Sequence, residues 1–96
     1  MNGSPNVIVE VYETIRERKE APRKESYTAT LFSKGLNAIL KKLGEETVEV
    51  AVAASSSSRE QLVHEVTDLI FHLLVLLAYK DIHVSEIFSE LERRRR

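Results

Sequence analysis

Four acidic residues stand in two pairs with helical spacing, Glu46 with Glu49 and Glu65 with Asp68. Residues three apart on a helix share a face, with Cβ atoms about 5–6 Å apart. Both pairs lie in largely apolar segments, so their carboxylates would meet beside a core, where they repel one another unless a cation joins them. Hard oxygen ligands suit Mg²⁺, which proteins hold through a few carboxylates together with substrate phosphates and water. The spacing therefore predicts a magnesium site for phosphate chemistry.

A solvated charged surface is the alternative, in which Lys41 and Lys42 pair with the glutamates one turn later. A lysine that precedes the glutamate is the weaker orientation, and each such pair contributes only about 0.2–0.5 kcal/mol. This alternative explains the first pair tolerably. It explains the second poorly, because Glu65 and Asp68 lie in an almost wholly apolar segment with no lysine or arginine one turn away. The sequence therefore favours metal binding.

Five helices are predicted to position these acids. Ile8, Val11, Tyr12 and Ile15 have the spacing of one helix face, and Ser4 followed by Pro5 is typical of a helix start. The β-branched run 7–9 could also form a strand. The predicted helices are 5 to about 20, 27 to 34, 36 to about 54, 59 to 80 and 84 to about 94. Ser26 is a predicted cap, the fourth helix has a capping box of Ser58 with Gln61 or Ser57 with Glu60, and Gly35 marks a kink or a close approach.

The two long helices differ in their surfaces. At about 100° per residue, helix 36–54 has an apolar face opposite an acid face. The apolar face consists of Leu36, Ile39, Leu40, Leu43, Val50, Ala51 and Ala54, and the acid face of Lys42, Glu45, Glu46 and Glu49. Helix 59–80 is apolar around most of its circumference, apart from a polar stripe of Gln61, Glu65, Asp68 and His72. Because such a helix must be buried on several sides, we predict an all-α fold, a small antiparallel helical bundle completed by homodimerisation.

Length and composition restrict the remaining possibilities. The 96 residues form a single predicted domain, 1–96, without cysteine for disulfides or a cysteine-based zinc site. A formal net charge of −1 gives no overall attraction to nucleic acid, and the run 93–96 of arginines is typical of a solvated helix end. The apolar run 69–79 is interrupted by His72 and is shorter than the roughly 20 residues needed to span a membrane. Residues 1–5 lack the features of a signal peptide. We therefore expect a cytoplasmic protein with no nucleic-acid or membrane partner.

Longer strings around the acids resemble a known family. They are S-Y-T-A-x-L-F-x-K-G at 26–35, I-L-K-K-x-G-E-E-x-x-E at 39–49, E-x-x-D-L-x-x-H-L-L-V-L-L at 65–77 and L-E-R-R at 91–94. These strings resemble the phosphoribosyl-ATP pyrophosphohydrolases, which belong to the MazG-like superfamily of all-α nucleotide pyrophosphohydrolases. The superfamily signature is E-E-x-x-E followed by E-x-x-D. The first 23 residues match less distinctly.

This resemblance implies a homodimeric hydrolase that converts phosphoribosyl-ATP to phosphoribosyl-AMP and pyrophosphate in the second step of histidine biosynthesis. It implies that Mg²⁺ is the cofactor, held by Glu46, Glu49, Glu65 and Asp68. A carboxylate within hydrogen-bond reach of a bound water can take its proton. Glu45, Glu46 and Glu49 are the candidates for this catalytic role, and the sequence does not choose among them.

Four residues are candidates for contacts to the substrate phosphates. Lys34, Lys41 and Lys42 would act as mobile point charges. Ser26 precedes a predicted helix N-terminus, where N–H groups attract anions. Each has an ordinary alternative, as a solvated charge for the lysines and as a helix cap for the serine. His72 is more typical of a hydrogen-bonded supporting residue than of a metal ligand.

Two other functions remain open. A relative with the same metal site would hydrolyse another nucleoside triphosphate, such as dUTP or a damaged nucleotide, although the flanking strings argue against it. A non-catalytic helical dimerisation module would carry its acids merely on the surface. It would bind no divalent metal and release no pyrophosphate.

Overall fold

The computed structural model describes residues 3–95, which form five α-helices and no β-strand within that range. The helices are α1 (Val7–Glu20), α2 (Tyr27–Lys34), α3 (Leu36–Ser56), α4 (Arg59–Tyr79) and α5 (Val84–Arg94). The predicted all-α class is confirmed, and each helix ends within about two residues of its expected position. Met1, Asn2 and Arg96 lie outside the described residues. The predictions for residues 1–5 and for the arginine run 93–96 therefore fall partly outside them.

Serine side chains cap two of the helices that carry the candidate site. The Ser26 hydroxyl accepts a hydrogen bond from the Ala29 main-chain N–H at 3.1 Å and begins α2. The Ser58 hydroxyl accepts one from the Gln61 N–H at 3.2 Å and begins α4. Each hydroxyl satisfies an N–H group that has no partner within its helix. The predicted cap at Ser26 is confirmed, and of the two alternatives for α4 the structure has Ser58.

The first helix begins later than predicted. The Ser4 carbonyl accepts the Val7 N–H at 3.0 Å, and the Ser4 hydroxyl accepts the Asn6 N–H at 3.2 Å. These bonds close a turn ahead of the helix, so the prediction that Pro5 is the first helical residue is wrong. The strand alternative for residues 7–9 is also wrong, because they lie in α1.

Gly35 separates α2 from α3 rather than kinking a continuous helix. Its φ of 95° lies in the left-handed region that favours glycine. The Gly35 N–H donates to the Leu31 carbonyl at 3.1 Å, and the Gly35 carbonyl accepts the Ile39 N–H at 3.2 Å. One helix is therefore completed and the next begins at the same residue, in a new direction.

The α3–α4 hairpin is the largest helix contact, and α1 packs across α4. A connection of only two residues between α3 and α4 makes them antiparallel neighbours. The buried core consists of Tyr12, Ile15, Leu31, Ile39, Leu74, Val75, Ala78 and Val84.

The predicted faces of α3 are partly wrong. Glu46 is only 8% exposed and stands in line with buried Ile39 and Ala53 at seven-residue spacing. Leu40, from the predicted apolar face, is 44% exposed, and Ala51 and Ala54 are also exposed in the single chain. The prediction from the helical wheel assumed that all charged residues of this helix lie on the side opposite its apolar face. In this fold the carboxylate of Glu46 instead faces acids of α4.

Among the described residues, α4 is the one helix that is long and apolar enough to cross a membrane by length and composition. Core helices of soluble proteins pass the same test, so this is weak support for a membrane location. In this fold Glu65 and His72 of α4 are buried among the other helices.

A histidine joins α5 to α1. The His83 Nδ1 accepts the Ser85 main-chain N–H at 3.0 Å at the start of α5. Since a main-chain N–H can only donate, the proton of the neutral ring is on Nε2, which donates to Glu13 Oε2 at 2.8 Å. This hydrogen bond is the main reason that the pKa of Glu13 lies below its usual value, with the nearby Arg16 lowering it further.

Candidate active site

Glu46 of α3 meets Glu65 and Asp68 of α4 in what we call the acid cluster. One carboxylate oxygen from each residue lies within 4.8 Å of the others. Glu46 and Glu65 are 8% and 9% exposed, and Asp68 is partly buried. The two α4 residues share a helix face because they are three apart, and that face is turned towards Glu46. Three of the four predicted metal ligands are therefore brought together.

The hydrogen-bond partners of the acid cluster do not cancel its charge. Gln61 Nε2 donates to Glu65 Oε2 at 2.6 Å, and His64 Nε2 lies 3.3 Å from Asp68 Oδ2. Within residues 3–95, no lysine or arginine forms an ion pair with any of the three carboxylates. Like charges held close together and out of water are unfavourable without a counter-charge. A bound cation would supply it.

The donor set fits Mg²⁺. Magnesium takes oxygen ligands at about 2.0–2.1 Å, so two oxygens on the same ion are at most about 4.2 Å apart. The observed limit of 4.8 Å among the carboxylate oxygens is within a small side-chain adjustment of that geometry. Three carboxylates also leave coordination positions for water and substrate phosphate, which Mg²⁺ usually retains.

His72 supports this site by hydrogen bonding. It is 5% exposed, and its Nδ1 lies 2.7 Å from the Asp68 main-chain carbonyl. Because a carbonyl only accepts, Nδ1 carries the proton. Nε2 of the neutral ring then accepts the Tyr27 hydroxyl at 2.9 Å. Both ring nitrogens are occupied, which agrees with the expectation of a supporting residue.

Tyr27 lies between the acid cluster and the neighbouring lysines. Partial burial raises the pKa of its phenol, the carboxylates of Glu46 and Asp68 raise it further, and the ammonium of Lys42 opposes them. The phenol therefore stays protonated and remains a donor to His72. Tyr27 and His72 are 45 positions apart, so no local pattern in the sequence indicates this contact.

Three predicted phosphate-binding residues line one groove of about 370 Å³, which we call the lysine groove. Lys34 comes from the end of α2, and Lys41 and Lys42 come from the second turn of α3. The change of chain direction at Gly35 allows residues of both helices to line one cavity. The other lining residues are Tyr27, Leu31, Ala38 and Glu45.

The remaining predicted site residues are Glu45, Glu49 and Ser26. Glu45 lines the lysine groove, with its Oε1 3.7 Å from Lys42 Nζ. Glu49 is exposed and is not one of the three clustered acids. The Ser26 hydroxyl serves as the α2 cap. The metal, catalytic and phosphate roles of these three residues stay predictions.

Fold and site together define an all-α protein with a carboxylate cluster suited to a divalent cation beside a cationic groove suited to phosphates. Residues 8–95 match the family model described as phosphoribosyl-ATP pyrophosphohydrolase. The chain therefore belongs to the phosphoribosyl-ATP pyrophosphohydrolase family, as the motif strings predicted. The match also includes most of the first 23 residues, where the strings were less distinct.

Individual relatives agree with the family match. The chain is 51% identical over 94 residues to the phosphoribosyl-ATP pyrophosphatase of Geobacter metallireducens, covering 98% of this chain and 86% of that protein. It is 55% identical over 88 residues to that of Listeria welshimeri, covering 92% and 84%. It is 48% identical over 93 residues to the histidine biosynthesis bifunctional protein HisIE of Pyrococcus furiosus, covering 97% of this chain and 43% of that longer protein.

Proposed function

We propose that this chain acts as a Mg²⁺-dependent homodimer in the cytoplasm. Its reaction is the hydrolysis of phosphoribosyl-ATP to phosphoribosyl-AMP and pyrophosphate in histidine biosynthesis. The observation that carries the proposal is the acid cluster beside the lysine groove. Cleavage between the α- and β-phosphates of a triphosphate requires that its charge be neutralised and its position fixed. The two neighbouring features are suited to these two tasks.

The acid cluster would hold the cation through Glu46, Glu65 and Asp68. A bound Mg²⁺ neutralises phosphate charge and makes a bound water a better nucleophile. Gln61 orients the Glu65 carboxylate by a hydrogen bond. His72 donates a hydrogen bond from Nδ1 to the Asp68 main-chain carbonyl, next to the third ligand. Glu49, one turn after Glu46, remains a proposed further ligand.

The lysine groove would hold the triphosphate. The ammonium groups of Lys34, Lys41 and Lys42 are partly or fully solvent-exposed, so they can follow the phosphate oxygens. Glu45 lines the same groove, and we propose its carboxylate as the acceptor of the proton of the attacking water. A carboxylate there would lie within reach of a water beside the bound phosphates.

The proposed dimer would cover an apolar stripe on α4. Val63, Val66, Ile70 and Leu73 are exposed and follow an i, i+3, i+7, i+10 spacing, the alternation that packs one helix against another. Ile70 also lines an apolar groove of about 320 Å³ between α1 and α4. In so small a domain, this much exposed apolar surface supports burial against a second copy.

The dimer has a direct test in solution. The unfolding midpoint should rise with protein concentration, because mass action couples folding to association. The change Leu73→Asp should yield monomers in sedimentation equilibrium. Leu91→Asp, at an exposed leucine of α5, is the matched control and should leave the dimer intact. A monomeric unaltered protein with a concentration-independent midpoint would contradict the proposal.

Pyrophosphate release tests the activity itself. We expect release from phosphoribosyl-ATP with Mg²⁺ and none after chelation, with little release from dUTP. Preference for dUTP would instead support the related nucleotide hydrolase. The absence of both release and divalent-metal binding would support the non-catalytic dimerisation module.

A further inference from the structure

A second cationic groove lies on another side of α2. This outer groove, of about 480 Å³, is lined by three cationic side chains, those of Arg23, Lys24 and Lys34. Its remaining lining residues are Pro22, Ala29, Thr30 and Ser33, so the described lining contains no carboxylate. The groove is therefore suited to an anion.

The outer groove and the lysine groove meet at the end of α2. Tyr27 and Leu31 line the lysine groove, whereas Ala29 and Ser33 line the outer groove. At about 100° per residue these two pairs point to different sides of the helix. Lys34 lines both grooves. An extended molecule could pass around the end of α2 and occupy both.

The charge in the outer groove is available to a ligand. Within the described residues, Lys24 and Lys34 form no ion pair, and Arg23 has only a long contact of 3.8 Å to Glu17 between two exposed side chains. An exposed pair of that kind contributes little and is readily exchanged for a better partner. An arginine and two lysines are suited to phosphate, the arginine through paired N–H donors.

The substrate carries phosphate at two separate places. One ribose of phosphoribosyl-ATP bears the triphosphate, and the second ribose, attached to the adenine, bears a 5′-phosphomonoester. Two riboses and a purine separate these groups. That span is enough to pass around the side of one helix, which is about 10 Å across.

We propose that the outer groove binds the 5′-phosphomonoester of the substrate while the lysine groove binds its triphosphate. The assignment rests on the proposed function and deepens it. It makes Arg23 and Lys24 specificity-determining residues, because ATP and dUTP have no second phosphate to place there. Lys34 would contact the substrate between the two ends.

The experiment compares variants of the two grooves in steady-state pyrophosphate release. The outer groove is altered by Lys24→Ala, alone and together with Arg23→Ala, and the lysine groove by Lys41→Ala. The matched control is Arg59→Ala, an exposed arginine at the far end of the α3–α4 hairpin. Two competitive inhibitors act as probes in excess Mg²⁺: ribose 5-phosphate carries only the phosphomonoester, and tripolyphosphate carries only the chain of three phosphates.

We expect Lys24→Ala to raise KM for phosphoribosyl-ATP about five- to tenfold, and the double variant to raise it further. The inhibition constant of ribose 5-phosphate should rise with it, and that of tripolyphosphate should not. Lys41→Ala should show the reverse pattern between the two probes. Arg59→Ala should match the unaltered enzyme.

Two results would overturn the assignment. The first is a KM in the double outer-groove variant equal to that of Arg59→Ala. The second is inhibition by ribose 5-phosphate that weakens in Lys41→Ala rather than in Lys24→Ala. Failure of the proposed function has a different signature, because the unaltered protein would then release no pyrophosphate from phosphoribosyl-ATP, and the assignment would fall with it.

Discussion

The acid cluster and the lysine groove carry opposite charges and are built in opposite ways. The acid cluster is largely buried, draws on two helices and holds its carboxylate oxygens within 4.8 Å of one another. The lysine groove is open, and its cationic groups end long, flexible side chains. A metal ion has a fixed coordination geometry, so its ligands must be held in place. Phosphate oxygens can be met by mobile charges. Changes in the acid cluster should therefore act on kcat, and changes in the lysine groove on KM.

The largest effect should come from Asp68→Asn. In the proposed function this carboxylate would help to hold the ion that stabilises transition-state charge, so we expect its loss to lower kcat about 1,000-fold or more. The Asp68 main-chain carbonyl that holds His72 is unaltered by the change. Steady-state pyrophosphate release is the measurement, with Glu60→Gln, an exposed acid in the first turn of α4, as the control. An effect confined to KM would contradict a metal-binding role for Asp68 and would indicate a role in substrate binding, as proposed for the lysines.

A smaller effect of a different kind is expected from Lys42→Ala. In the proposed function its charge would meet phosphate already present in the bound substrate, and such uniform binding appears mainly in KM. We expect KM to rise about tenfold, and by more at low ionic strength, where Coulomb attraction reaches further. The same assay at several salt concentrations tests this, with exposed Lys80→Ala as the control. A collapse of kcat in Lys42→Ala would reverse the roles of the two regions.

Repulsion within the acid cluster should also lower the free energy of unfolding of the metal-free protein. Glu46→Gln removes one of three neighbouring charges, so we expect the metal-free protein to become about 1 kcal/mol more stable. We expect Mg²⁺ to raise the unfolding midpoint of the unaltered protein, and to raise that of Glu46→Gln much less. Chemical denaturation with and without Mg²⁺ measures both effects. Exposed Glu49→Gln is the comparison, and it should stabilise the metal-free fold less. If Glu46→Gln destabilised that fold, repulsion among the three carboxylates would not be what limits its stability.

The smallest effect concerns a carboxylate outside both regions. The pKa of Glu13 is lowered in the folded state by the His83 hydrogen bond, so Glu13 stabilises the fold above its unfolded pKa of about 4.3. That contribution is lost as pH falls through the lower folded pKa. We expect Glu13→Gln to be slightly less stable than the unaltered protein at neutral pH, with the difference disappearing as pH falls through the lowered folded pKa of Glu13. Thermal unfolding against pH tests this, with Glu10→Gln on the same helix as the control. If the stability difference between Glu13→Gln and the unaltered protein grew towards low pH, the pKa of Glu13 would not be lowered by folding.

Local signals in the sequence were sufficient to predict the helices and the shared face of Glu65 and Asp68. Ser26 and Ser58 cap their helices through bonds to residues three positions away, and Glu65 and Asp68 share a face by spacing alone. Such features depend only on neighbours in the chain. They are therefore readable without knowledge of the packing.

The orientation of α3 could not be predicted in the same way. A helical wheel places Glu46 with the other charged residues, but which side of a helix meets its neighbour depends on the tertiary packing. Contacts between distant residues, such as Tyr27 with His72, leave no local pattern. The lysine groove likewise depends on the chain direction after Gly35, which periodicity does not give.

The most direct test of the acid cluster is a titration with Mn²⁺. Its binding is monitored through the proton NMR signals of the imidazole rings. Mn²⁺ accepts the same oxygen ligands as Mg²⁺, and its paramagnetism broadens nearby signals. The chain has three histidines: His64 and His72 contact Asp68, whereas His83 contacts Glu13. We predict that substoichiometric Mn²⁺ broadens His64 and His72 and spares His83, and that excess Mg²⁺ restores the signals. Broadening of His83 first, with His64 and His72 still sharp, would contradict a metal site at the acid cluster.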